Sequence, residues 1–198
     1  MPIGLPKVPY LISGDEDASW IDLYNRLYYQ RLLFLGEEIN TEISNILVGV
    51  MVFLSVEDKT KDQFLFINSP GGKIISGMLI FDGMHLVPAE VQTVCLGIAA
   101  SMAAIVLVGG EITKRLAFPH AKVMIHQPVS IFEDEETGEC MLDMSEIDKA
   151  YKNLVQIFAQ RTGRPSWLVN RDMQDRDFFM TAEQAQEYGI VDMVAESL

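Results

Sequence analysis

The spacing of apolar residues changes several times along the chain, and each change marks an element. Leu32–Leu35 is a short apolar run that predicts a strand. After Asn40 and Thr41, the residues Ile43, Ile46, Leu47, Val50 and Leu54 follow helical spacing. Phe64, Phe66 and Ile67 sit in a second strand that ends at Ser69-Pro70-Gly71-Gly72, and a helix follows to about Leu86. Val123–Ile125 predicts another strand, ended by Pro128. Asp143 and Glu146 stand at capping-box spacing. Met144, Ile147, Tyr151, Leu154 and Phe158 then form a narrow apolar stripe on a long helix. Thr181 and Gln184 cap a last helix, with Gly189 at its end. Residues 1–20 read as an irregular arm, and Phe132–Cys140 (FEDEETGEC) as an acidic exposed loop. Strands that alternate with helices imply an α/β fold with short crossovers. A length of 198 residues suits one domain.

One stretch fits neither period. From Val91 to Gly110 the chain carries no charge, and Glu90 and Glu111 stand at its edges. A membrane span needs about 20 mostly apolar residues and is oriented by positive flanks. This stretch contains Gln92, Thr93, Ser101 and the glycines 97, 109 and 110, and its flanks are acidic. The sequence therefore predicts no membrane span. It predicts a buried strand over Val91–Leu96, a turn at Gly97, and a helix from about Ser101 that is apolar all round and hence buried.

Composition narrows the function. Acidic residues number 28 and basic ones 15, a formal charge of −13, which argues against a nucleic-acid partner because phosphate contacts need a basic face. Two cysteines, Cys95 and Cys140, make no disulfide framework and suit a reducing compartment. The first twenty residues have no apolar signal region and are too acidic and proline-rich for a transit peptide. We expect the chain to work where it is made, or after processing there. No metal motif such as HExxH or paired CxxC is present, nor a phosphate-cradling glycine loop, so no bound cofactor is expected.

Ser101 follows a strand and a glycine-containing turn and would open a helix, where free backbone N–H groups favour an anion. It could instead be an ordinary N-cap on a buried helix. His126, in VMIHQP, ends an apolar strand; with His85 and His120 it completes the available imidazoles. Of the acids beyond it, spacing does not choose among Asp134, Asp143, Asp148, Asp172, Asp175, Asp177 and Asp192.

Taken together, FINSPGG, then GIAASMAA with Ser101 29 residues beyond Gly72, then MIHQP with His126 25 residues further, then RDFFMTAEQAQEYGIVD resemble the proteolytic subunit of the Clp protease. The similarity runs from about Trp20 to Val194. YNRLYYQRLLFLGEEI and GRPSWLVNRDM resemble the plastid-encoded chloroplast form, which implies a soluble protein of the chloroplast stroma. The resemblance implies a crotonase-like fold of stacked β-β-α units, an axial arm over 1–20, and a protruding handle over about 127–160. It implies a serine endopeptidase with Ser101 as nucleophile, His126 as base and Asp177 as orienting acid, and with Gly72 and Met102 as oxyanion donors. The substrate strand would pair with Gly72, Lys73 and Ile74 on one side and Gln127, Pro128, Val129 and Ser130 on the other. A double heptameric ring, of this chain or with sibling subunits, would be joined through Asp175 and Arg176. A hexameric AAA+ Clp chaperone, which supplies the ATP step and feeds in unfolded proteins, would dock on Phe64, Phe66, Leu86, Val94 and Leu96.

Two segments depart from the bacterial pattern. VSIFEDEETGEC replaces a glycine- and glutamine-rich stretch after the histidine, and GDEDASW lies in the axial arm. Two other functions are compatible with such a fold. One is a non-catalytic subunit of the same ring, which a serine-reactive phosphonate would separate. The other is an acyl-CoA hydratase, which usually relies on carboxylates rather than on a Ser–His pair. A Ser–Lys dyad through Lys73 or Lys122 is a variant of the same chemistry.

Overall fold

A long strand with different partners along its length organises the molecule. A computed structural model describes residues 4, 6–10, 19–128, 137–174 and 177–195. In chain order its elements are β1 (Lys7–Tyr10), β2 (Ser19–Asp22), α1 (Leu23–Tyr29), β3 (Leu32–Leu35), α2 (Thr41–Glu57), β4 (Gln63–Ser69), α3 (Ile74–Leu86) and β5 (Val91–Ala100). There follow α4 (Met102–Val108), β6 (Arg115–Ala117), β7 (Lys122–Ile125), α5 (Thr137–Thr162), α6 (Ser166–Gln174), β8 (Phe178–Thr181), α7 (Ala182–Tyr188) and β9 (Met193–Val194). The main sheet runs β3-β4-β5-β6-β9, all parallel. The first half of β5 pairs with β6 and its second half with β7, which in turn pairs antiparallel with β8. This is the expected α/β class, built on a mostly parallel sheet.

Local chemistry accounts for the boundaries. The Asn40 side chain accepts from the N–H groups of Glu42 and Ile43 and starts α2. Thr181 and Gln184 form a reciprocal capping box on α7, and Gly189 ends that helix at φ 94°. All seven residues of α4 are buried, as an all-apolar helix requires. Among the described residues no helix is long and apolar enough to cross a membrane. The uncharged stretch is half strand and half core helix. Cys95 is buried on β5, and that burial pushes its thiol up to about 12, so it is inert at neutral pH.

Four expectations change. There is no turn at Gly97: β5 continues through it to Ala100, because β7 extends the ladder opposite Ile98–Ala100. Part of the arm is ordered as a hairpin, β1 against β2, whose Tyr10 ring stacks on Tyr29 of α1. Helix α5 begins by Thr137, so Asp143 and Glu146 lie inside it and Thr137–Cys140 is not loop; residues 132–136 lie outside the described residues. The narrow apolar stripe of α5 implies a helix outside the central core, but Leu154 and Phe158, with Val155, are buried in this chain's own core.

The sequence reading missed a clamp at the far end of α4. The Arg161 guanidinium, from the last turn of α5, donates to the carbonyls of Val108, Gly109 and Gly110, where a helix leaves unpaired acceptors and the negative end of its dipole. Arg115 is buried, donates to the Arg161 carbonyl and pairs with Asp192 at 2.5 Å. Burial alone would push the Asp192 carboxyl up, but the bonds from Arg115 outweigh it and hold the group below its ordinary value.

Candidate active site

Strand register brings three distant residues together. In the parallel β5–β7 pair Ala100 lies opposite Met124, and the ladder ends with the Ser101 N–H donating to the Met124 carbonyl at 2.9 Å. Ser101 therefore sits beside the end of β7, from which His126 projects. In the antiparallel β7–β8 pair Ile125 lies opposite Phe178, so the next residues outward, His126 and Asp177, face each other across 51 positions of sequence. The resulting line is continuous: His126 Nε2 lies 2.9 Å from Ser101 Oγ and His126 Nδ1 lies 3.0 Å from Asp177 Oδ1. The carboxylate fixes the ring with Nδ1–H toward Asp177 and leaves Nε2 as the acceptor for the serine proton.

Ser101 does not act as an N-cap. Its side chain makes no capping bond and turns to His126 instead. Its backbone stands at φ 56°, ψ −123°, a region that costs an L residue about 1–3 kcal/mol. That conformation presents the hydroxyl on a sharp strand-to-helix turn, and the Met124 bond and the buried α4 hold it there. Gly71 (φ 95°) packs against the same turn: a Cβ there would stand 2.6 Å from the Ala100 carbonyl and 2.8 Å from the Ser101 Cβ.

Beside the hydroxyl lies a cavity of about 400 Å³. Met102, Ile105, Ile125, Leu154, Phe158 and Met173 give it an apolar wall. Gly72 also lines it. In the bridge to Ile39, the Gly71 carbonyl and the Lys73 N–H do the bonding, at 2.7 and 3.0 Å, so the polar groups of Gly72 face the other way. Among the described residues neither the Gly72 N–H nor the Met102 N–H makes a hydrogen bond. Two free donors beside a hydroxyl bonded to an imidazole are the arrangement a developing oxyanion needs.

The remaining expected positions divide. Gly72 leaves a free backbone edge that continues into Ile74, the first residue of α3, while Lys73 faces Ile39. On the opposite side the Gln127 N–H is already donated to the Met173 carbonyl at 2.8 Å and Pro128 has none, so of these two residues only the carbonyls can pair. Val129, Ser130, Asp175 and Arg176 lie outside the described residues. Phe64 and Phe66 share a face of β4, where Phe66 stacks on Phe34 with centroids 5.0 Å apart. Leu86 and Leu96 are exposed. Val94, however, is fully covered between β4 and β6 and offers no surface to a partner. The sequence reading also missed an apolar cavity of about 380 Å³ lined by Ile21, Tyr28, Tyr29, Val50 and Phe53. Its one sequence signal is the aromatic pair Tyr28–Tyr29.

Several other candidate groups are engaged elsewhere. His85 Nδ1 bonds the Phe81 carbonyl on α3. Asp148 pairs with Lys152, Asp192 with Arg115, and Asp172 accepts from Tyr188 and Arg171. Of the acids whose side chains are described, Asp177 is the one bonded to His126.

A family model described as Clp protease matches residues 14–198. Proteins named ATP-dependent Clp protease proteolytic subunit are similar over nearly the whole chain. That of Nicotiana tabacum is 60% identical, covering 98% of this chain and 99% of its own. That of Spinacia oleracea is 59% identical with the same coverage. That of Cucumis sativus is 58% identical, covering 98% of this chain and 100% of its own.

Proposed function

The chain belongs to the Clp protease family, and we propose on that basis that it is the serine endopeptidase subunit of a compartmentalised ATP-dependent protease on a crotonase-like fold. The carrying observation is the Asp177–His126–Ser101 line, with contacts of 3.0 and 2.9 Å. His126 Nε2 takes the Ser101 proton as Oγ attacks the peptide carbonyl, and then passes it to the leaving amine. The oxyanion forms toward the N–H groups of Gly72 and Met102, and a water repeats the sequence on the acyl-serine. The apolar wall takes one side chain flanking the cut bond. The peptide backbone pairs with the free edge at Gly72–Ile74, which reads few side chains and suits unfolded proteins. A fluorophosphonate should modify the assembled complex at Ser101, and should do so far more slowly when His126 is alanine. Modification elsewhere, with Ser101 untouched, would overturn the reading.

Assembly and partner complete the proposal. An open, nonselective peptidase would damage its surroundings, so the sites belong inside a chamber, a double heptameric ring of this chain alone or with siblings. The chain has no nucleotide-binding motif, so ATP is used by a hexameric unfoldase docked outside. Its docking surface is the aromatic face of Phe64 and Phe66, with exposed Leu86 and Leu96 nearby. The plant relatives support a plastid setting, in the stroma. Phe66→Ser is expected to leave hydrolysis of a short fluorogenic peptide largely intact and to abolish ATP-dependent degradation of a folded protein. Equal loss of both would put Phe66 in the structural core alone.

A further inference from the structure

One residue lining the cavity has no part in the chemistry above. Among the described residues that line it Glu38 is the only carboxylate, beside Gly71 and Gly72 and across from an otherwise neutral wall. Its backbone is held in place by its neighbour Ile39, which is fully buried and bonded to Gly71 and to Lys73. Its side chain is exposed, and among the described residues it takes part in no ion pair. It caps no helix, since α2 is capped by Asn40. An anchored carboxylate with no internal partner, at the rim of a peptide-binding cavity, is available to a cation on the bound peptide.

We propose that Glu38 sets cleavage preference by attracting a lysine or arginine side chain of the substrate. The position is the one flanking the scissile bond that does not fill the apolar wall. The inference rests on the peptidase reading above. The pairing is partly solvated, so its effect is modest, about fivefold in kcat/KM, and weakens with salt. The overall charge of −13 would also draw basic peptides toward the protein, and a neighbouring acid separates the two effects. Glu37 is exposed like Glu38 but does not line the cavity.

The test uses the purified assembled complex, with active sites counted by fluorophosphonate. Internally quenched peptides differ only by lysine or methionine at one position, scanned across the two residues on each side of the cut. Cut sites are read by mass spectrometry. The expected lysine-to-methionine ratio is about five at one position. It should fall to about one in Glu38→Gln, invert in Glu38→Lys with a gain for aspartate there, and persist in Glu37→Gln. An unchanged ratio in both Glu38 variants overturns the inference, as does an equal loss in Glu38→Gln and Glu37→Gln, which would assign the preference to the overall field. Absence of any cleavage that depends on Ser101 would instead overturn the peptidase reading, and this inference with it.

Discussion

Alanine at Ser101 or at His126 is expected to lower peptide turnover by about 10⁴–10⁶. A serine hydroxyl is a weak nucleophile until a base removes its proton, and among the described residues that line this cavity His126 is the only base within reach of Oγ, at 2.9 Å. Removing either partner disables the same step, so the double variant should be no worse than the single ones. Asp177→Ala should cost less, about 10²–10⁴. The carboxylate supplies orientation and charge rather than a bond to substrate, and its side chain is 57% exposed in the isolated chain, where water weakens its hold on the ring. Asp172→Ala serves as the control, because that carboxylate is committed to Tyr188 and Arg171. The measurement is kcat on a short fluorogenic peptide, with native mass checked for each variant. A fully active Asp177→Ala beside a dead Asp172→Ala would move the orienting acid to Asp172.

Much of the site was legible because its chemistry is local. Glycines at 71 and 72, a serine where an apolar strand gives way to an apolar helix, and a histidine at a strand end are each visible in sequence. Asp177 was not legible from spacing. Its place depends on the antiparallel β7–β8 pairing, a long-range register that six other acids could equally have satisfied on paper; the family resemblance had to choose it. Gly97 points to a turn that does not form, for a related reason. Glycine is the usual mark of a break, but here the ladder to β7 holds Gly97 in the strand, and the break falls on Ser101 itself. Local preference and function conflict at that residue, and function prevails because the surrounding bonds hold the strained turn. The burial of Val94 and the Arg161 clamp are equally tertiary. Nothing in RTGR announces that its first arginine ends a helix some fifty residues earlier in the chain.

Gly72→Ala is expected to cut kcat by about 10²–10³, the loss typical of one oxyanion donor. Gly72 stands at φ 151°, which L side chains rarely adopt, and an added Cβ would be driven into the Ile39 carbonyl. Ile39 cannot move aside, since it is fully buried and bonded to Gly71 at 2.7 Å and to Lys73 at 3.0 Å. The strain must then be relieved at residue 72, and its N–H swings off the position where negative charge develops. The apolar wall and the His126–Ser101 contact are untouched, so the loss should fall mainly on kcat, with a smaller rise in KM because Gly72 also belongs to the edge that pairs with the peptide. Gly49→Ala is the matched control: an added Cβ there meets nothing within 4 Å, and alanine suits the interior of α2. It should keep full activity. In the Ser101→Ala background Gly72→Ala should cause no further loss, because no tetrahedral adduct on the serine remains to be stabilised. Turnover within about threefold of the unmodified protein, far short of the loss of an oxyanion donor, with native mass unchanged, would remove Gly72 from the oxyanion site and leave Met102 as its only assigned donor.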